Sequence, residues 1–227
     1  MLIIFDLDDT LIDTSACITP IKLVDALRSM RKAGLALANW DAAESMIKQL
    51  DASKESAKET LIEFLEIHGA DKRFLEIGLK EVYENLSLDM PILPVNGALA
   101  LLEDLKVDHD LAIVTVGKEE RQLKKMKKAG IDHTLFCKIV ATEYPDKKSH
   151  YQMLMREQGF LPHEVVVLGD RIAGDLVPAK ALGCKTVHVQ HGRGRQMIAS
   201  KMDADYTITE LEEVRDILKE VMNEQEI

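Results

Sequence analysis

The sequence predicts an α/β fold, in which a doubly wound parallel sheet forms the core and an all-helical domain is inserted into it. Short runs rich in valine, isoleucine and leucine recur along the chain, helical patterns lie between them, and one long stretch contains helical patterns only. Such apolar runs are typical of parallel strands, because these are covered on both faces. Their alternation with helices indicates a doubly wound sheet.

Five apolar runs predict strands, at residues 2–6, 111–115, 138–142, 165–170 and 185–189. Helices are predicted where apolar residues recur at spacings of three and four. In the core these are residues 96–106, 118–130, 147–159, 174–183 and 209–227. Within the second of these helices, the lysine-rich run 124–128 is expected to face water, with Leu123 and Met126 facing inward.

The alternation is interrupted over residues 14–90. The helical patterns in this stretch cover residues 18–34, 41–52, 55–69 and 72–86. No strand-like run lies among them. We therefore expect a core domain of residues 1–13 and 91–227 and a helical domain of residues 14–90, inserted after the first strand.

The composition argues against several classes of function. With a formal net charge of −10 and 4% aromatic residues, the chain offers neither a basic face nor stacking rings to a nucleic acid polymer. No apolar run approaches the roughly 20 residues that span a bilayer, and the short apolar start is followed by acids, unlike a signal peptide. Three separated cysteines without a C-x-x-C spacing indicate reduced thiols. We expect a cytoplasmic monomer or homodimer without a membrane partner.

Acidic side chains follow two of the predicted strands. Asp6 ends the first strand and Asp8 lies two residues on, while Asp170 ends the fourth strand and Asp175 follows five residues later. The ligand site of an open parallel sheet lies beyond the carboxyl ends of its strands, so these carboxylates are expected to meet there. Crowded carboxylates need a cation, and such hard oxygen ligands suit Mg²⁺, which commonly also binds a substrate phosphate. The sequence thus predicts a Mg²⁺ site for a small phosphorylated ligand.

A phosphate site is predicted at the same edge of the sheet. The second strand ends in Thr115, which is followed by Val116, Gly117 and a helix. A hydroxyl and free amides at a helix N-terminus form an anion site. Lys147 or Lys148, at the start of a later helix, would add a positive charge to the same phosphate. Together these groups are suited to hold a phosphoryl group in transfer.

The first strand end supplies the reacting groups. Asp6 would attack phosphorus and form an aspartyl phosphate, since a metal ion and a lysine offset the repulsion between nucleophile and phosphate. Asp8 would protonate the leaving oxygen and then deprotonate the water that hydrolyses the intermediate. Asp9 is expected to cap or orient the loop without a direct role.

In combination these residues resemble the haloacid dehalogenase superfamily, in particular its phosphoglycolate phosphatase-like branch. The family motifs correspond, in order, to DLDDT at 6–10, Thr115, one of the two lysines, and GDRIAGD at 169–175. The resemblance covers residues 1–13 and 91–192. It implies a Rossmann-like core and a Mg²⁺-dependent phosphohydrolase acting on a small phosphorylated metabolite.

The resemblance also implies individual roles. Asp6 would be the nucleophile and Asp8 the acid and base. Asp6, Asp170 and the Asp8 carbonyl would bind the metal, with Asp175 close behind. The helical domain would be a cap that closes over the substrate and selects it.

Two positions depart from the family pattern. Val116 stands where asparagine is frequent, and Lys148 stands where proline is frequent. Lys147 is favoured as the phosphate-binding lysine, because it precedes Tyr151 by four residues, as in the family's K-x-x-x-aromatic sequences.

Two alternative functions stay open. A sugar-phosphate mutase of the same superfamily keeps both acids, and a non-catalytic phosphate-binding or regulatory protein would use the same scaffold. The intact motifs argue against the second alternative. The sequence leaves the identity of the substrate open.

Overall fold

The computed structural model describes residues 1–54, 56–85, 87–144 and 146–225. Glu55, Leu86, Glu226 and Ile227, at the ends of three predicted helices, lie outside the described residues. The chain divides into two compact units, one of Met1–Asp13 with Ile92–Ile227 and one of Thr14–Pro91. No helix in the described part of the chain is long and apolar enough to cross a membrane.

In the first unit, the described residues form one sheet of six parallel strands. The strands are β1 (Leu2–Phe5), β2 (Asp110–Val116), β3 (Phe136–Thr142), β4 (Val165–Gly169), β5 (Lys185–Val189) and β6 (Tyr206–Ile208). Their spatial order is β3-β2-β1-β4-β5-β6, which is the order of a doubly wound sheet. The predicted fold class is confirmed. The sixth strand was not predicted, because its run is only three residues long and its middle residue is exposed.

Most α-helices of the described residues lie where the sequence predicts helices, but the helix Thr14–Cys17 was not predicted. The helices are α1 (Thr14–Cys17), α2 (Thr19–Lys32), α3 (Trp40–Asp51), α4 (Ala57–Ile67), α5 (Arg73–Leu79), α6 (Ala98–Leu105), α7 (Glu119–Lys128), α8 (Lys148–Gln158), α9 (Val177–Lys180) and α10 (Val214–Gln225). The predicted helix 174–183 is instead divided, since a π-helix at Ile172–Leu176 precedes the short α9. A second π-helix, Lys80–Glu84, extends α5.

The central strands are buried on both faces. All four residues of β1 are inaccessible to solvent. On one face, Leu2 and Ile4 belong to a cluster with Tyr151 and Leu154 of α8 and Ala179 of α9. The alternation of side chains along a strand directs Ile3 and Phe5 to the opposite face. This burial on two faces is why the strands are continuous apolar runs in the sequence.

The second unit has a hydrophobic core of its own. Leu27 of α2, Ile47 of α3 and Phe64 of α4 are fully buried members of its cluster. Trp40 packs against this cluster, and the guanidinium of Arg31 lies 4.7 Å from the centroid of its ring. The role of the helical unit as a cap stays a prediction.

Candidate active site

The candidate site lies at the carboxyl ends of the strands, at the point where the order of the strands in the sheet reverses. β1 pairs with β2 on one side and with β4 on the other, so the carboxyl ends of β1 and β4 lie next to each other. Asp6 and Asp170 directly follow these two strand ends. The amide of Asp6 donates to the carbonyl of Leu168 (2.9 Å), which extends the pairing with β4 by one residue. The two carboxylates are therefore positioned by the sheet.

Three carboxylates converge at this point. Asp6, Asp170 and Asp175 are all buried, and each offers an oxygen within 4.8 Å of the oxygens of the other two. Asp8 does not join this group, because its side chain contacts α7 instead. Three buried carboxylate oxygens are hard ligands of the kind that Mg²⁺ prefers. The donor set thus fits the predicted metal.

Burial makes two of these carboxylates, those of Asp6 and Asp170, hard to ionise in the absence of a cation. Burial raises the pKa of Asp6 to about 7; the charge of Lys147 opposes this shift, and the carboxylates of Asp175 and Asp8 add to it. The pKa of Asp170 is raised well above its usual range, first by burial and then by Asp175 and Asp6. Such cooperative shifts among neighbouring acids are typical of functional sites.

The sequence left two lysines as candidates for the positive charge of the site, and Lys147 is the one that supplies it. It precedes the first residue of α8, is 2% exposed, and its Nζ lies 2.5 Å from Asp6 Oδ1 and 2.6 Å from Asp175 Oδ1. Burial alone would lower its pKa, but the carboxylates of Asp175 and Asp6 outweigh burial and raise it. Lys148 is exposed, and its amide donates to Asp146 Oδ1 (3.1 Å). Lys147 is therefore the lysine that reaches the site.

The turn after β4 holds Asp175 in place. Asp175 lies in the π-helix Ile172–Leu176, a conformation that is frequent at functional sites. Its Oδ2 accepts from the amide of Arg171 (3.0 Å), and its own amide donates to the carbonyl of Arg171 (2.9 Å). Gly169 permits the close approach, because a Cβ there would lie 2.5 Å from Asp175 Cβ and from Asp175 Oδ2.

The predicted phosphate site is only partly available at the end of β2. Thr115 is buried there, and its Oγ1 accepts from Gln122 Nε2 (2.7 Å). The amide of Gly117 does not face the site as expected, because it donates to the carbonyl of Thr142 (2.7 Å) and thereby continues the pairing with β3. The contribution of the Val116 amide stays a prediction.

Two side chains of α7 reach the site and were missed by the sequence analysis. Gln122 Nε2 lies 3.1 Å from Asp8 Oδ2, and Lys125 Nζ lies 2.8 Å and 2.9 Å from the two oxygens of Asp8. The expectation that the run 124–128 faces water is wrong for Lys125, which is buried. The expectation that Leu123 faces inward is also wrong, because Leu123 is exposed. The spacing of three residues between Gln122 and Lys125 was the available signal, since it places them on one helix face.

Two glycines in the segment after β5 lie close to residues at the ends of β1 and β4. Asp9 is buried with a left-handed backbone (φ 58°), and a Cβ at Gly192 would overlap its carboxylate. A Cβ at Gly194 would lie 2.6 Å from the carbonyl oxygen of Asp170. The same oxygen lies 3.1 Å from Nε2 of the buried His188. The segment 191–194 is therefore packed against the segments that carry Asp9 and Asp170.

Comparison with known proteins points to one family. The family model for haloacid dehalogenase-like hydrolases matches residues 3–189. A glyceraldehyde 3-phosphate phosphatase from Methanocaldococcus jannaschii is 30% identical over 228 residues, which cover 96% of each protein.

Solved structures agree on the fold. A predicted phosphoglycolate phosphatase from Haemophilus somnus matches with a TM-score of 0.73 at 19% identity, over 96% of this chain and 97% of that one. A hydrolase from Bacillus subtilis, bound to magnesium, matches with a TM-score of 0.64 at 20% identity, over 96% and 97% of the two chains.

Proposed function

The chain belongs to the haloacid dehalogenase-like hydrolase family, and on this premise we propose that it is a Mg²⁺-dependent phosphomonoester hydrolase that forms an aspartyl phosphate on Asp6. The observation that carries the proposal is the contact of Asp6 with Lys147 inside a cluster of three buried carboxylates. This arrangement offers a nucleophile, a fixed positive charge and a set of metal ligands at one point.

The substrate is a small phosphorylated metabolite. Glyceraldehyde 3-phosphate is the first candidate, because a relative that aligns over nearly the full chain is named for its hydrolysis. The acidic net charge of the chain is consistent with a substrate that is held by a few fixed groups rather than by a basic surface.

The reaction proceeds in two displacements. A carboxylate oxygen of Asp6 attacks phosphorus, the bond from phosphorus to the leaving oxygen breaks, and Asp8 transfers its proton to that oxygen. Asp8, now a carboxylate, takes a proton from water, whose oxygen attacks phosphorus. The bond from phosphorus to Asp6 then breaks, which releases phosphate and restores the Asp6 carboxylate.

The phosphoryl oxygens are held by fixed donors during both steps. The Lys147 ammonium and the Thr115 hydroxyl are the donors that the proposal assigns to them. The Val116 amide is the third. Because Lys147 is already fixed by Asp175, it needs little rearrangement when a phosphate arrives.

Asp6, Asp170 and Asp175, with the carbonyl of Asp8, would hold the magnesium ion. When bound, the ion would offset the repulsion between these carboxylates and the phosphate. A cytoplasmic location and a monomeric or dimeric state remain predictions from the sequence.

The test is phosphate release from an aryl phosphate and from a panel of small phosphate esters that includes glyceraldehyde 3-phosphate, measured with Mg²⁺ and with a chelator. The wild type should release phosphate only with Mg²⁺, and Asp6→Asn should release none. Asp9→Asn is the matched control, because asparagine tolerates the left-handed backbone at this position. Equal release by the wild type and Asp6→Asn would refute the nucleophile. Transfer of phosphate within the substrate without release would indicate a mutase.

A further inference from the structure

The inner face of α7 is polar rather than apolar. Arg121, Gln122, Lys125 and Met126 are the buried residues of this helix. Burial of an amide or an ammonium group is costly unless it is matched by hydrogen bonds. For Gln122 Nε2 and Lys125 Nζ the matching groups are the proposed acid and base, Asp8, and the phosphate-binding Thr115.

The contacts of Gln122 fix the direction of its amide. Its Nε2 lies 3.1 Å from Asp8 Oδ2, 2.7 Å from Thr115 Oγ1 and 3.2 Å from the carbonyl oxygen of Val116. The carbonyl of Val116 can only accept, so the amide nitrogen must face this side. The bond to Thr115 therefore runs from the amide to the hydroxyl oxygen. The hydroxyl hydrogen is left to donate elsewhere, as a phosphate donor must.

Lys125 fixes Asp8 in a different way. Its ammonium group contacts both carboxylate oxygens, at 2.8 Å and 2.9 Å, and the lysine itself is 5% exposed. Contact with both oxygens sets the plane of the carboxylate as well as its direction. Lys125 is buried and the side chain of Asp8 is 28% exposed, and an ion pair of this kind adds little net stability. The pair is therefore better explained by its effect on Asp8 than by stability.

The turn into α7 leaves room for this arrangement. Gly117 has a φ of 143°, and a Cβ there would lie 3.3 Å from Gln122 Cδ and 3.4 Å from Gln122 Nε2. A side chain at this position would press on the amide that bridges Thr115 and Asp8. The β2–α7 turn is thus shaped around the Gln122 side chain.

We infer that Gln122 and Lys125 are positioning residues, through which one helix orients both the phosphate-binding hydroxyl of Thr115 and the carboxylate of Asp8. The inference rests on the proposed function. Gln122 affects phosphate binding, because its bond to Thr115 Oγ1 leaves the hydroxyl hydrogen of Thr115 free to donate to the phosphate. Lys125 acts on proton transfer, because it orients the Asp8 carboxyl group, which gives a proton to the leaving oxygen.

Lys125 is tested with two leaving groups. An alkyl phosphate needs a proton on its leaving oxygen, whereas an aryl phosphate with a good leaving group hardly does. Because kcat/KM covers the steps up to the departure of the leaving group, it reports the step in which Asp8 gives up its proton. We expect Lys125→Met to lower kcat/KM for the alkyl ester about 10-fold to 100-fold more than for the aryl ester.

Two further variants complete the comparison. Lys125→Arg keeps the charge and should recover part of the loss for the alkyl ester. Lys127→Met, the same change on the exposed face of α7, should leave both esters within about 2-fold of the wild type. An equal loss for both esters, or no loss, would overturn the role of Lys125, because a merely structural role does not depend on the leaving group.

Gln122 is tested by the binding of inorganic phosphate, measured by calorimetry with Mg²⁺ present. Gln122→Met removes the donor and should weaken binding about 10-fold. Gln122→Glu keeps the shape but offers an acceptor to the Thr115 hydroxyl, so it should weaken binding further. Phosphate affinity equal to that of the wild type in both variants would overturn the role of Gln122.

The binding measurement separates this inference from the proposed function. If the wild type hydrolyses no ester, the proposed function is wrong and with it the role of Lys125 in proton transfer. The phosphate affinity of the Gln122 variants then still decides the inference for Gln122: weaker binding supports it, and unchanged binding overturns it.

Discussion

Lys147 Nζ lies 2.6 Å from Asp175 Oδ1, and both side chains are only 3% exposed. The two residues come from different loops, one before α8 and the other after β4. The contact joins the segments that follow β3 and β4, two strands that are separated in the sheet by β2 and β1. It also keeps the ammonium group beside Asp6, where the phosphate would arrive.

Removal of the lysine charge should affect stability and activity together. In Lys147→Met the carboxylates of Asp6 and Asp175 lose their buried counter-charge. Breaking a buried ion pair costs about 3 to 5 kcal/mol, so the free energy of unfolding of the metal-free protein should fall by that amount. Metal-dependent phosphate release should fall at least about 100-fold, since the proposed donor to the phosphoryl oxygens is lost.

The matched control for this prediction is the neighbouring lysine. Lys148→Met makes the same change at an exposed position, and its stability and activity should stay close to the wild type. Urea denaturation and phosphate release measure the two effects. Equal losses in the two variants would contradict the assignment of Lys147 as the site lysine.

A methyl group at Gly169 should displace Asp175. In Gly169→Ala the new Cβ would lie 2.5 Å from Asp175 Cβ, and a backbone-bound atom cannot rotate away. Overpacking of this kind costs about 1 to 3 kcal/mol. We expect a lower midpoint of thermal unfolding and weaker Mg²⁺ binding, both measurable by calorimetry.

Gly174→Ala is the control for Gly169→Ala. It lies in the same motif, but its new Cβ would meet Arg171 Cβ at 3.7 Å, an ordinary contact. Its stability should change by less than about 0.5 kcal/mol. If both variants lose Mg²⁺ binding equally, the loss reflects the π-helical turn in general and not the approach of Asp175 to β4.

The strand-end residues could be predicted from the sequence because their positions follow from backbone geometry. Asp6, Thr115 and Asp170 follow apolar runs, and parallel strands deliver their carboxyl ends to one edge of the sheet. No side-chain conformation has to be known to make this prediction. The structure brings Asp6 and Asp170 together for this reason.

The helix residues could not be predicted in the same way. In α7 the sequence pattern was interpreted by assuming that apolar residues mark the inner face. Lys125 is buried there because Asp8, 117 residues away in the chain, offers it a partner. Likewise the amide of Gly117 pairs with Thr142, a contact that depends on the register of β3. Long-range partners of this kind leave no trace in local periodicity.

Mg²⁺ binding should become stronger as the pH rises. An unperturbed aspartate has a pKa of 3.8, whereas burial raises the pKa of Asp6 in the metal-free fold to about 7. Between these values the folded protein holds a proton that the unfolded chain has lost. This proton adds to the free energy of unfolding. Its contribution is fully present below about pH 4 and is lost as the pH rises through about 7. Mg²⁺ competes with the same proton, so its stabilising effect should grow through this window.

The measurement is the rise in unfolding temperature on adding Mg²⁺, at about pH 5 and about pH 8 and at constant ionic strength. The rise should be several degrees larger at the higher pH. Asp170→Asn removes one proposed ligand and should show a small rise at both values. Burial raises the pKa of Asp170 in the same direction as that of Asp6, so both carboxyls favour the metal at high pH. A rise that is equal at both values, or larger at the lower one, would mean that Mg²⁺ does not displace protons from these carboxylates and binds elsewhere.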